Sequence, residues 1–448
     1  MSGASLGPAA IDFVRGDATG VLIPAHVAAL RAGGEAFLTQ ALRIFGSLSR
    51  DNRVARITRV DGCAGGSTGQ KLLLSVEYQR PEAGLHTDLF VKFSRDFGDP
   101  IRDNRGKHEM ESETRFAAVS RLPGFPITVP AAYFADYHRD SGTGLLITER
   151  IAFGTGGIEP HHEKCLDHEL TDPLAHYEAI VSALARIAAA HKSQRLGPDI
   201  DARFPFDPAA AAARDPICHD ERRLHALVAQ YGDFAARCPG LLPPAIVSRA
   251  FIEKLDREVG LFLEHQRTIK RFLQADPDFI ALCHWNAHID NAWFWRDASD
   301  RLQCGLFDWG HVGQMNVAFA LWGCLSAAPL EIWRRHLESL LGLFVRELCD
   351  HGGPRLDVAG LKLRMELHAA MMGLAYFLES PARILFRLPE AAGASGPLDP
   401  VFRKSETARN NLHILAVLMS FWQTHDFGAT LERLLAGTAD PPGQGSHH

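Results

Sequence analysis

Residues 283–291 read CHWNAHIDN. The run sets two histidines, two asparagines and an aspartate between an apolar segment at 279–282 and the strand-like AWFW at 292–295. Side chains this polar, packed between hydrophobic segments, cost free energy unless each finds a partner, so chemistry explains them better than stability does. A second piece follows at 304–310, CGLFDWG, in which Asp308 ends an apolar strand-like stretch. Asn291 and Asp308 both stand beside a strand. A carboxamide and a carboxylate at neighbouring strand ends can share a magnesium ion, a hard cation that takes oxygen ligands.

Outward from these pieces the texture of the chain divides it. Residues 1–53 read as an N-terminal helical extension, rich in Ala and Leu from 23 to 48. Residues 54–152 read as a small β-rich N-lobe, with β-prone segments at 53–60, 70–79, 87–94, 129–138 and 144–151 and one helix over 108–122. The glycine-rich IAFGTGGIEP at 151–160 reads as a linker. Residues 153–437 read as a large helical C-lobe. Within it Ile180, Leu184, Ile187 and His191 share one helical face, and helices are expected over 244–273, 330–349 and after 361. Residues 438–448 read as a disordered tail. The expected fold is α+β: two lobes around a cleft.

Three further residue groups belong with the polar run. GCAGGSTGQK at 62–71 lies between two strand-like segments, and Gly65, Gly66 and Ser67 offer backbone N–H groups that can approach a phosphate closely. It is not a P-loop, for it lacks the Gly-Lys-Ser/Thr ending and leads into a strand. Lys92, in the apolar strand LFVKFS, needs a partner if buried. The acidic helix supplies Glu109, Glu111 and Glu113, of which Glu113 is the expected partner because Phe116, Ala117 and Leu122 would pack that helix on the sheet. Glycine turn, strand lysine, helix glutamate, then Asn and Asp at strand ends make a set of parts able to hold ATP and magnesium.

In this order the parts resemble the aminoglycoside phosphotransferase/choline kinase-like family, the small-molecule branch of the protein-kinase-like fold. That family carries H-G-D-x-x-x-x-N, a strand, and I-D-W/F. HWNAHIDN keeps His284 and Asn291 at the family separation, FDWG supplies the second aspartate, His288 matches a common mid-motif histidine, and His191 falls where a histidine packs behind the catalytic loop. The resemblance covers roughly 57–325. It implies a two-lobed kinase-like fold and ATP- and Mg2+-dependent transfer of phosphate to a small-molecule hydroxyl. Lys92 would hold the α/β-phosphates and Glu113 would brace it. Asn291 and Asp308 would bind the metal, and Thr148 and Glu149, at the expected hinge, would face adenine.

The chain departs from the family at one place. Asn286 stands where the family has its catalytic aspartate, and Trp285 where it has glycine. A carboxamide can hydrogen-bond a hydroxyl but cannot take its proton. Three readings follow: a phosphotransferase in which Asn286 positions the acceptor and His288 or Asp290 supplies the base; a nucleotide-binding pseudokinase-like regulatory protein; or a kinase fold turned to a different transfer chemistry.

Composition narrows the partners. With 448 residues, 46% of them hydrophobic, and a formal net charge of −6, the chain lacks the basic excess of a nucleic-acid binder. The eight cysteines are scattered, with no C-x-x-C, and no signal or membrane-spanning stretch is read, so a cytoplasmic protein with free thiols is expected. HHEKCLDHE at 161–169 is dense in ligand-type residues but fits no zinc spacing, and reads as a solvated loop. The acceptor pocket falls to the helices after Asp308, which are rich in large apolar residues. The acceptor is therefore expected to be apolar or anionic, with Arg383, Arg387 and Arg403 available to an anionic group. A homodimer is the one protein partner considered.

Overall fold

The structure, a computed structural model, describes residues 11–63, 65, 66 and 68–439. From residue 440 on, the expected tail lies outside them, as does Ser67 in the glycine turn. The chain forms two compact units. One runs up to Glu159 and takes in Leu196–Phe204 and Gly305–Gly313; the other comprises Pro160–Arg195, Pro205–Cys304 and the chain from Gln314. The α+β expectation, sheet first and helices after, describes the chain.

The first unit opens with a short antiparallel ribbon, β1 (Phe13–Arg15) and β2 (Leu22–Pro24), then helix α1 (Val27–Phe45), which is kinked at Gly34. Strands β3 (Val54–Gly62), β4 (Lys71–Tyr78) and β5 (Asp88–Phe93) follow, then helix α2 (Pro100–Val119), β6 (Ala132–His138) and β7 (Thr143–Glu149). The five strands form one antiparallel sheet in the order β3-β4-β5-β7-β6. Period-two alternation decides its faces. Leu72, Leu74 and Val76 of β4, with Leu89, Val91 and Phe93 of β5, turn to the face that α1 covers with Leu38 and Leu42. Leu146, Ala135 and Tyr137 turn to the other face, where Met110 and Ala117 of α2 pack. Each fully buried Leu, Val, Phe or Met among these contributes about 1.5–3 kcal/mol. The same alternation sends Lys92, between Val91 and Phe93, to the α2 face.

Helix α2 starts eight residues before the expected His108. Asp99 caps it, its carboxylate accepting from the N–H groups of Ile101 and Arg102, and Pro100 takes the first helical position, where no N–H is needed.

The second unit is mainly helical. Helix α3 (Pro173–Lys192) buries Ile180, Leu184, Ile187 and His191, the expected face. A long helix, Arg249–Ala275, follows a one-turn segment at Pro244–Val247 instead of running on from it, because Ser248 caps its start. Two short strand pairs frame the polar run: β8 (Ile280–Cys283) with β11 (Gly313–Asn316), and β9 (Ala292–Arg296) with β10 (Leu302–Leu306). Among the described residues no helix is long and apolar enough to cross a membrane.

Candidate functional site

In the first unit, three of the singled-out residues meet. Lys92, 3% exposed, donates from Nζ to Glu113 Oε2 at 2.7 Å and to Asp308 Oδ1 at 2.7 Å. Of the three glutamates on α2, Glu113 is the one at the lysine, and it is itself buried. Glu109 pairs with His311, and Glu111 with Arg115 and Arg139. Burial opposes the charge on Lys92, but the two carboxylates outweigh it and hold the ammonium well above its ordinary pKa. Burial pushes the Glu113 carboxyl upward against the downward pull of the Lys92 ammonium.

Asp308 stands in a backbone turn of its own. Its φ is +60°, the left-handed region that Asp and Asn tolerate better than other non-glycine residues. Trp309 fixes that turn: its ring stacks on Phe116 of α2 at 3.8 Å, and its Nε1 donates to Leu306 O at 3.0 Å. Just upstream, Leu306 N donates to Thr128 O at 3.0 Å. The Asp308 side chain is 44% exposed, so a carboxylate anchored by Lys92 on one side still reaches solvent.

The glycine turn closes the β3–β4 hairpin, with Cys63 N donating to Lys71 O at 2.9 Å. Gly65 and Gly66 have φ of +109° and +72°. A Cβ on Gly66 would lie 1.7 Å from Lys71 Nζ, and Lys71 in turn donates to Gly65 O at 3.2 Å. Lys71 is the residue that sequence reasoning missed. It closed the quoted glycine motif, and strand register sets it directly opposite Lys92. Burial, then the neighbouring Lys92 charge, lowers its pKa. Lys92, Glu113 and Asp308 alone sum to −1, a poor host for phosphates; Lys71 brings the cluster to zero.

Thr148 and Glu149 lie within the sheet, where Glu149 N donates to Ala131 O at 2.9 Å and Arg150 N to Asp88 O at 3.1 Å. In this stretch, expected to offer backbone groups to adenine, backbone pairing takes up these two N–H groups.

The second unit holds the polar run. His284, 1% exposed, accepts at Nδ1 the N–H of Asn286 at 3.1 Å, bracing the loop. Asn291 is also buried. Its Nδ2 donates to Asn286 O at 2.8 Å, which leaves the carboxamide oxygen for another ligand. An amide oxygen so oriented suits a hard cation, as does the exposed carboxylate of Asp308 in its own unit. The Asn286 carboxamide is half-buried and makes no hydrogen bond among the described residues. Trp285 is 42% exposed, and its carbonyl lies against Gly323, where a Cβ would approach it to 1.8 Å.

The two residues expected as alternative bases are differently engaged. His288 is buried, with Nε2 2.9 Å from Ser326 Oγ, and burial drives its pKa well below the ordinary value, so it is a neutral brace. Asp290 lies 3.5 Å from Lys164 Nζ, and burial raises its pKa. Of the three arginines proposed for an anionic acceptor, Arg383 pairs with Glu379 at 2.6 Å and Arg403 with Glu169, while Arg387 lies over the Phe386 ring.

No family model matches the chain, and no curated protein matches it. Solved structures do. A choline/ethanolamine kinase family protein from Mesorhizobium loti is 15% identical over 85% of this chain and 93% of its own, with a TM-score of 0.39. An aminoglycoside-3'-phosphotransferase of type VIII is 17% identical over 76% of this chain and 99% of its own, at 0.37. A spectinomycin phosphotransferase, solved in complex with ADP and spectinomycin, is 10% identical over 82% and 94%, at 0.38. These are proteins of the family that the motifs resemble. At TM-scores of this size the side chains must carry the chemical reading.

Proposed function

We propose that the protein transfers a phosphoryl group from ATP to a hydroxyl of a small molecule, with magnesium. The observation that carries this is the buried Lys92 held between Glu113 and Asp308 beneath a glycine turn. A lysine removed from water and fixed by two carboxylates is costly as a stability device but well suited to meet phosphate oxygens at a set position. Lys92 and Lys71 take the phosphates, the backbone at Gly65 and Gly66 approaches them, and Glu113 keeps Lys92 in place.

Asp308 and Asn291 are the metal ligands in this reading. Bound magnesium would neutralise phosphate charge during transfer. Asn286 faces the acceptor and accepts a hydrogen bond from its hydroxyl. It takes no proton, and neither His288, neutral and bonded to Ser326, nor Asp290, paired with Lys164, stands free to do so. Because phosphoryl transfer depends mainly on positioning and charge neutralisation, the lost base slows the reaction without removing it. The acceptor is an alcohol of apolar character, with Arg387 the arginine left for an anionic group.

A second reading, a nucleotide-binding regulatory protein, is favoured by Asn286 alone. Calorimetry with ATP and magnesium, followed by ADP release with a panel of alcohols, separates the two. Binding with turnover supports the phosphotransferase, and binding without turnover on any alcohol supports the regulator. No binding removes both.

A further inference from the structure

The segment HHEKCLDHE, residues 161–169, has no role in the function proposed above, yet within the second unit it lies along the loop that carries Asn286 and Asn291. His161 Nε2 is 2.9 Å from the carbonyl oxygen of Asp290. Lys164 Nζ is 3.5 Å from Asp290 Oδ2, the two side chains being only 15% and 21% exposed. Lys164 lies within ion-pair reach of Asp290, whose Oδ1 is buried without a hydrogen bond.

The segment is itself firmly held. Arg409, 6% exposed, donates from Nε to Lys164 O at 3.2 Å and pairs through Nη2 with Glu163 at 3.0 Å. Farther along, the Tyr177 hydroxyl donates to the buried Asp167 at 2.7 Å. On the loop side, Asn291 N donates to His288 O at 2.9 Å and Asn291 Nδ2 to Asn286 O at 2.8 Å. Contacts therefore run from the helix bearing Arg409 through Lys164 to Asp290, and the chain itself carries on to Asn291, whose carboxamide holds the Asn286 carbonyl.

We propose that Lys164 is a positioning residue: by holding Asp290 from outside the loop, it sets the orientation of Asn291 next in sequence and, through Asn291, that of Asn286. The inference rests on the reading of this loop as metal- and acceptor-facing. It gives the 161–169 segment the work of a strap. The strap acts through one ion pair and one bond to a backbone carbonyl, neither of which would touch ATP, metal or acceptor. A residue that orients a ligand from behind shows itself in metal affinity and turnover, typically by about 10- to 100-fold, while nucleotide affinity set by Lys92 stays the same.

The test compares full-length Lys164→Met, which keeps the stem and loses the charge, with Lys164→Arg, which keeps the charge, and with Lys164→Met combined with Asp290→Asn. Amide hydrogen exchange of the peptide spanning 284–292 is read alongside the magnesium dependence of ADP release. Lys164→Met is expected to speed exchange in that peptide about tenfold, with the slow amides of β5 and α3 unmoved, and to raise the magnesium half-saturation about tenfold at an unchanged KM for ATP. Lys164→Arg restores both to within about threefold, and the double variant is no worse than Lys164→Met. Unchanged exchange at 284–292 overturns the proposal, as does faster exchange throughout the chain without rescue by arginine. Should the wild type turn over no alcohol, the phosphotransferase reading fails, and the exchange comparison still decides the role of Lys164.

Discussion

Two regions of the molecule handle buried charge in opposite ways. Around Lys92 the chain keeps its charges and gives each a partner: one ammonium, two carboxylates at 2.7 Å, and a second ammonium across the strand pair. Around the polar run, the Lys164–Asp290 pair apart, uncharged forms prevail. Asn286 is a carboxamide, His288 is held neutral, and Asp167, on the segment that straps the loop, has its pKa raised to about 6 by burial. In the proposed reading the first region suits a highly charged ligand and the second a neutral one, as a triphosphate and an alcohol would require.

The most damaging way to break this contrast is Lys92→Met. It should abolish ATP binding by calorimetry and cost about 3–5 kcal/mol in urea unfolding, because Glu113 is left buried without its cation. Adding Glu113→Gln should recover most of that stability and none of the binding. Recovery of both would show the pair to be structural only.

Asp167 sharpens the other side. Its folded pKa, about 6, lies above the ordinary 3.8, so the folded state holds a proton that the unfolded state has released between those values. Stability from this group is full below about pH 4 and is lost as pH rises through 6, a change of about 3 kcal/mol at about 1.4 kcal/mol per unit. Asp167→Asn should therefore be the more stable protein at pH 8 by up to that amount and show no advantage at pH 4. Equal unfolding midpoints at both pH values would contradict the assignment.

Returning the family carboxylate, Asn286→Asp, tests whether neutrality there is essential. An attenuated phosphotransferase should gain up to about 10²-fold in ADP release, the lower end of what a general base supplies. A loss of turnover would mean that the amide has its own task. The smallest change is Lys71→Met, expected to weaken ATP binding about tenfold, or about 1.4 kcal/mol, and to flatten its salt dependence; binding identical to wild type would take Lys71 out of the phosphate site.

Much of this was legible in the sequence, for identifiable reasons. A lone lysine in an apolar strand demands a partner, and Phe116 and Ala117 fix which side of the acidic helix meets the sheet, so Lys92 and Glu113 could be paired before any coordinates. Asp308 stood out for the same reason, as a carboxylate ending a hydrophobic run. What stayed hidden depends on register and tertiary contact. Lys71 closed the glycine motif and entered a β-prone segment, but nothing in sequence reveals the register that sets it opposite Lys92. HHEKCLDHE looked like a solvated loop because nothing local shows that His161 and Lys164 reach Asp290, far along the chain. That backbone pairing takes up the N–H groups of Glu149 and Arg150 near the expected hinge was also hidden, because strand ends blur in sequence. The start of α2 was missed for a weaker reason, since Asp99-Pro100 is a cap and first-turn pair plainly written.

The left-handed backbone at Asp308 carries a consequence for how this protein can change. Glycine, asparagine and aspartate are among the residues that best tolerate a φ of +60°, and asparagine and glycine are each one nucleotide substitution away from aspartate. Both of these accessible replacements leave the turn intact and discard its negative charge. Asparagine at 308 would repeat the exchange that already separates position 286 from the family motif. Such a step would remove one of the two carboxylates that hold Lys92 while leaving the backbone turn in place.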